Sequence, residues 1–248
     1  LGGPGTGSTL NIPSDPAGAS FLQHDVAIGA RYGLNDLFEV KRTVDIPTVT
    51  IDHAMIERGV PAPTLLKLDV EGLELDVLRG GTEALKGVLA IKLEAGFMRH
   101  RLGQPLAGEV IAFLERHGLY AVDVVDQVRW RKRPWAGDPY SVKAAPPYSR
   151  GRLAQADIIF LREPGTITPS MARAAALAAI GLGYFDHGLE LLCESIEEDD
   201  NHLHNAISIA SRTYARARGR QALRDSIIHV ARLARSLTGG LNVPSRNS

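Results

Sequence analysis

Along the chain, the spacing of apolar residues changes from that of strands to that of helices, and this change divides it in two. Ser8 to Ile12 is a short candidate strand, and Pro13 to Ser20 reads as a loop. Val44 to Ile51 alternates as a strand does, and Asp52 is placed to cap a helix from His53 to Arg58. Pro61 and Pro63 stop that helix. Leu65, Leu66, Leu68 and Val70 then form a run that fits a strand buried on both faces, as in a parallel sheet. Leu73, Val77 and Leu78 recur at helical spacing, and Gly80 follows as a cap. Thr82 opens a short helix through Lys86, and Val88 to Glu94 is a second buried strand. Ala107 to His117 carries Val110, Ile111 and Leu114 on one helix face and is closed by Gly118. Tyr120 to Val125 and Ala156 to Leu161 return to strand character.

After a Pro164 to Pro169 linker the period is helical throughout. Met171 to Leu182, Asp186 to Ile196, Asn201 to Arg216 and Gln221 to Leu237 read as two helical hairpins. The expected organisation is therefore an α/β domain over residues 1–163 and an all-α C-terminal extension over residues 164–248.

Composition narrows the classes. Lys and Arg total 28 and so do Asp and Glu, so no global field favours nucleic acid or an anionic membrane. Arg129 to Trp135 is the most basic patch and places two Trp among its charges, but one loop is no nucleic-acid fold, and a substrate-facing or solvated hairpin loop is expected there. No run approaches a membrane span, and no signal peptide is visible. The one cysteine, Cys193, is read as a buried structural thiol in a helix. A cytoplasmic location is the expectation.

The candidate chemistry sits where the first buried strand ends. Asp69 and Glu71 stand two apart at its carboxyl end, the end at which open α/β sheets bind ligands. If the extended backbone persists, they project to the same side. Glu94 ends the next strand and can join them. Met98 to Pro105, a polar loop at the same end of the sheet, carries Arg99, His100 and Arg101, which can face a substrate or solvent. Three carboxylates can also hold Mg²⁺ or Ca²⁺, and this divalent-metal reading stays open but is not favoured. Glu74 lies inside the following helix and is expected to fix the turn, while Lys67 is expected to pair with a carboxylate. His24 and Asp25 read as a solvated loop pair.

The segment Lys67-Leu-Asp-Val-Glu-Gly-Leu-Glu74, followed by Val77-Leu-Arg-Gly80, resembles the signature of FkbM-type methyltransferases. Pro47-Thr-Val-Thr-Ile-Asp52 upstream and Ala90-Ile-Lys-Leu-Glu94 downstream are similar to the family's flanking segments, and the resemblance runs from about residue 8 to residue 162. It implies a Rossmann-like class I methyltransferase sheet and S-adenosylmethionine as cofactor. The acceptor it implies is a hydroxyl on a sugar, glycan or natural product. It also implies that Asp69 and Val70 meet the cofactor. The base or hydroxyl ligand is then Glu71, with Glu94 beside it and His100 as a reserve base. Such enzymes begin with a strand and a glycine-rich turn. Leu1 to Gly7 is glycine-rich without a preceding apolar strand, so the sheet is expected to lack its first strands, leaving an unpaired apolar edge at the first buried strand. A fragment of that kind would be inactive alone. The competing reading is a degenerate, non-catalytic fold whose helical tail binds a protein partner or a second copy of itself.

Overall fold

A computed structural model describes residues 6–132, 150–195, 205 and 207–219. Residues 1–5, the end of the basic patch beyond Lys132, and the expected helix Gln221 to Leu237 lie outside the described residues, as does the Cys193 side chain. The chain groups into two compact units, residues 1–142 with 150–197, and residues 143–149 with 198–248. In the second unit residues 207–219 are helical, with the Arg218 guanidinium 6.0 Å from the Tyr214 ring centre. All that follows concerns the first unit.

An antiparallel ribbon comes first, made of β1 (Thr6–Pro13) and β2 (Val40–Thr48). Two helices absent from the sequence reading connect its strands, α1 (Val26–Tyr32) and α2 (Asn35–Phe38). Asp25 caps α1 by accepting from the Ala27 and Ile28 N–H groups, so it is a structural cap rather than a solvated loop residue. β2 starts and ends earlier than its alternation predicts, because Thr50 caps α3 (Ile51–Arg58) through the His53 N–H. Asp52, expected to be that cap, instead accepts from Glu83 N at 3.0 Å and Ala84 N at 2.9 Å. It caps a different helix, α5 (Thr82–Leu85), across 31 residues of chain. Sequence spacing alone carries no trace of that pairing.

Among the described residues the main sheet has four strands, β3 (Leu65–Leu68), β4 (Ala90–Gly96), β5 (Leu119–Trp130) and β6 (Arg152–Arg162), in the order β3-β4-β6-β5. β3 and β4 run parallel, whereas β6 is antiparallel to both of its neighbours. β4 is buried along most of its length, as its apolar run requires. β3 is not. Leu65 is 51% exposed and only Leu68 is buried, because β3 is the edge strand and pairs on one side alone among the described residues. Expected burial on both faces is thus corrected.

The core lies on one face of the sheet. There α4 (Glu74–Arg79) contributes Leu75, Val77 and Leu78, and α6 (Ala107–Glu115) contributes Val110, Phe113 and Leu114, packed on Ile91, Leu93, Ile158 and Phe160. On the other face α7 (Pro169–Leu182) presents Ala172, Ala175, Ala176 and Ala179, and Ala179 clusters with Ala90 and Leu161. α8 (Phe185–Ser195) folds back on α7 after Gly183, which takes φ 98° in the left-handed cap. The two helices after Glu163 thus belong to the same compact unit as the sheet. At the far end Arg162 is buried and donates to the carbonyls of Val88 (2.7 Å), His117 (3.1 Å) and Leu85 (2.5 Å), tying the end of α5 and its connection to β4 to the turn after α6. Among the described residues no helix is long and apolar enough to cross a membrane.

Candidate active site at the carboxyl ends of two strands

β3 stops at Leu68 and the chain turns sharply into α4, with Glu71 at φ 54° and Gly72 at φ 100°. A non-glycine residue rarely adopts positive φ, so something must hold Glu71 there. Three contacts do. The buried Glu74 carboxylate accepts from the Val70 and Gly72 N–H groups, both at 3.2 Å. The Ser20 hydroxyl donates to the Glu71 carbonyl at 2.8 Å. The Arg101 guanidinium pairs through Nη2 with the Glu71 carboxylate. Glu74 therefore fixes the turn, as expected, at the cost of burial that raises its own pKa. Gly72 is required by its φ of 100°, and a Cβ there would also crowd the Leu22 side chain at 3.1 Å.

The turn and the end of β4 bring Asp69, Glu71 and Glu94 together, with one carboxylate oxygen of each within 4.8 Å of the others. That spacing admits a divalent cation with oxygen ligands. Two of the three carboxylates already have cationic partners, however. Lys67 reaches Asp69 at 2.8 Å, and Arg101 holds Glu71. Glu94 has only a neutral donor, Gln155 Nε2 at 2.7 Å, among the described residues. Burial, reinforced by the charges of Glu71 and Asp69, pushes the Glu94 carboxyl up to about 7. Burial also raises Glu71, against the opposing pull of Arg101. Val70, expected at the cofactor, is half-buried against the core and spends its N–H on Glu74.

His100 and Arg101 lie in the loop expected to be polar and solvated, yet they are 2% and 6% exposed. Gln104 Oε1 accepts from the His100 and Arg101 N–H groups and folds the loop inward. A guanidinium can only donate, so the 2.7 Å contact from Arg101 Nη1 fixes His100 Nε2 as an acceptor, and Nδ1–H donates to the Met98 carbonyl. Burial and the adjacent cation push His100 down to about 4. Its one basic nitrogen is occupied, so this geometry leaves no free lone pair for the reserve-base role. His24, read from sequence as solvated, is also buried. Its Nε2–H donates to Gly18 at 2.7 Å and its ring meets Phe38 edge-on.

Trp130, at the end of β5, completes the floor with ring centres 5.0 Å from His100 and 5.9 Å from Phe38. A cavity of about 320 Å³ opens here, bounded by Gly18, Phe38, Glu71, Arg101, Trp130 and Gln155. Gln104 and Gln155 escaped the sequence reading because no local pattern distinguishes them from solvated residues, whereas Trp130, expected in a substrate-facing or solvated loop, ends β5 and is buried.

No curated protein and no solved structure matches the chain. A family model, described as the methyltransferase FkbM domain, matches residues 2–119. That span contains the turn after β3, Glu94 and the Met98 to Gln104 loop, whereas β6 falls beyond it. Residues 2–119 thus match the family that the Lys67 to Gly80 segment resembles.

Proposed function

We propose that this domain works in an S-adenosylmethionine-dependent O-methyltransferase acting on a hydroxyl of a sugar, glycan or natural product. The observation that carries the reading is the convergence of Asp69, Glu71 and Glu94 at the carboxyl ends of β3 and β4, inside the family span. The β3-β4 parallel pair, continued by the single reversed strand β6 and by β5, which again runs with β3 and β4, supports a Rossmann-like sheet, since such sheets commonly carry an antiparallel strand near one edge.

The donor set fits the cofactor's charged end. When bound, S-adenosylmethionine supplies an electrophilic methyl on a cationic sulfonium, and carboxylates favour a cation beside them. Asp69 and Glu71 would hold that end, with Val70 alongside. The acceptor oxygen forms its bond to carbon as the carbon–sulfur bond breaks, and its proton has to leave. Glu94 is the best-placed base. A carboxyl near 7 is close to working pH, where a base is abundant yet still takes the proton readily. Glu71, held in place by Arg101, accepts a hydrogen bond from the acceptor hydroxyl and orients it.

The test is calorimetric titration of the full-length protein with S-adenosylmethionine and, separately, with the uncharged product S-adenosylhomocysteine. Preference for the sulfonium is expected, and it should shrink in Asp69→Asn and Glu71→Gln. Failure of both ligands to bind would refute the reading. A divalent cation is the competing occupant of the same carboxylates. It would be supported by binding of Mg²⁺ or Ca²⁺ that Glu94→Gln abolishes.

A further inference from the structure

Two polar groups around the cavity lack the partners their burial demands. Trp130 is 4% exposed and Arg101 6% exposed, yet Trp130 Nε1–H and Arg101 Nε–H meet no acceptor among the described residues. An enclosed N–H donor without an acceptor is unfavourable, and such groups are uncommon in folded proteins. The other guanidinium nitrogens are engaged. Nη1 is on His100 and Nη2 on Glu71, which leaves Nε as the guanidinium nitrogen with no acceptor among the described residues. Both residues line the same cavity.

We propose that this cavity is a binding site for a neutral, oxygen-bearing ring, whose ether or hydroxyl oxygens accept from Arg101 Nε–H and Trp130 Nε1–H. The size fits, since about 320 Å³ lies at the small end of ligand cavities. The walls fit as well, because Phe38 and Trp130 offer aromatic surface to a ring while Glu71 and Gln155 remain for its hydroxyls. Charge decides against an anion. The Arg101 cation is already balanced by Glu71, while Asp15 lines the rim and Asp69 and Glu94 stand next to Glu71. A ligand carboxylate would meet a net negative surrounding, and a neutral oxygen would not. Arg101 thus serves twice, orienting Glu71 through one nitrogen and anchoring a non-reacting oxygen through another. That this ring is part of the methyl acceptor rests on the function proposed above, but the neutral-oxygen site itself does not.

The chain has two tryptophans, so Trp135→Phe leaves Trp130 as the sole indole reporter. The ¹⁵N-labelled variant is titrated with 1,4-dioxane and methyl β-D-glucopyranoside as neutral probes, and with sodium acetate at matched ionic strength. The neutral probes are expected to move the Trp130 indole N–H signal saturably, and acetate is not. Arg101→Lys, which keeps the charge but loses the Nε–H, should weaken the neutral probes roughly 3- to 10-fold, the usual worth of one hydrogen bond. A saturable shift with acetate alone, or none with either neutral probe in the folded Trp135→Phe protein, overturns the proposal. S-adenosylmethionine titrated into the same sample separates the two readings. Probe binding without cofactor binding refutes the methyltransferase function and leaves the neutral-oxygen site. Cofactor binding without probe binding does the reverse.

Discussion

Replacing Glu94 by Gln isolates the electrostatic burden of the site. Glu94 rises from 4.5 to about 7, chiefly through burial and then through the carboxylates of Glu71 and Asp69. The folded state therefore holds this proton more tightly than the unfolded chain. Stability from the group is complete below the unfolded value near 4.5 and is lost as pH rises through about 7. Taken at face value the gap corresponds to ~3 kcal/mol. The carboxyl is only partly enclosed, so solvent screening reduces this to about 1–2 kcal/mol. Gln keeps an oxygen to accept from Gln155 and never ionises. In urea unfolding monitored by circular dichroism, the variant should gain about 1–2 kcal/mol over the parent on moving from about pH 5 to about pH 8, most of it below about pH 7. Subtracting the parent at each pH largely removes contributions from other titrating groups. A difference that stays flat with pH would refute the claim that Glu94 is held in a desolvated, negatively charged setting.

Three further outcomes test the surrounding frame. Glu74→Ala frees the Val70 and Gly72 N–H groups that hold the turn, and should cost about 2–3 kcal/mol in chemical denaturation, with Glu74→Gln losing less. Arg162→Met removes the donor from three carbonyls and should lower stability by about 3 kcal/mol while leaving cofactor affinity in place, as read by denaturation and calorimetry. The His100 imidazole, pushed down to about 4, should show no inflection between about pH 5 and about pH 8 in an NMR titration, and an inflection in that range would undo the assignment of Nε2 as an occupied acceptor.

Local pattern carried the order of elements from β3 to β6 and the acidic turn. Leu73, Val77 and Leu78 at helical spacing, and the apolar run at β4, read directly because burial dictates them residue by residue. An unpaired edge at β3 was expected but the exposure of Leu65 was not, because an apolar run reads as buried on both faces whatever covers it. Asp52 was misassigned for a related reason. A short carboxylate before a helix caps whichever free N–H groups the fold presents, here those of α5. At the site, Asp69, Glu71 and Glu94 were legible from their places at strand ends. The burial of His100 and Arg101 was not, since Gln104 draws that loop inward through contacts that leave no periodic trace.

The position of β6 bears on how the chain is made. It is the last strand of the sheet in sequence, yet it fills the gap between β4 and β5. Until Arg162 has left the ribosome, one long flank of β4 has no strand to pair with, and Gln155 is absent from beside Glu94. β3, β4 and their helices can collect early through nearby contacts, but closure of the sheet waits on partners far apart in sequence, a slow step by loop-closure entropy. Chains arrested before residue 150 should therefore be the species most in need of a chaperone, and the carboxylate site should mature only after synthesis has passed it by some sixty residues, from Glu94 to Gln155, which are 61 positions apart.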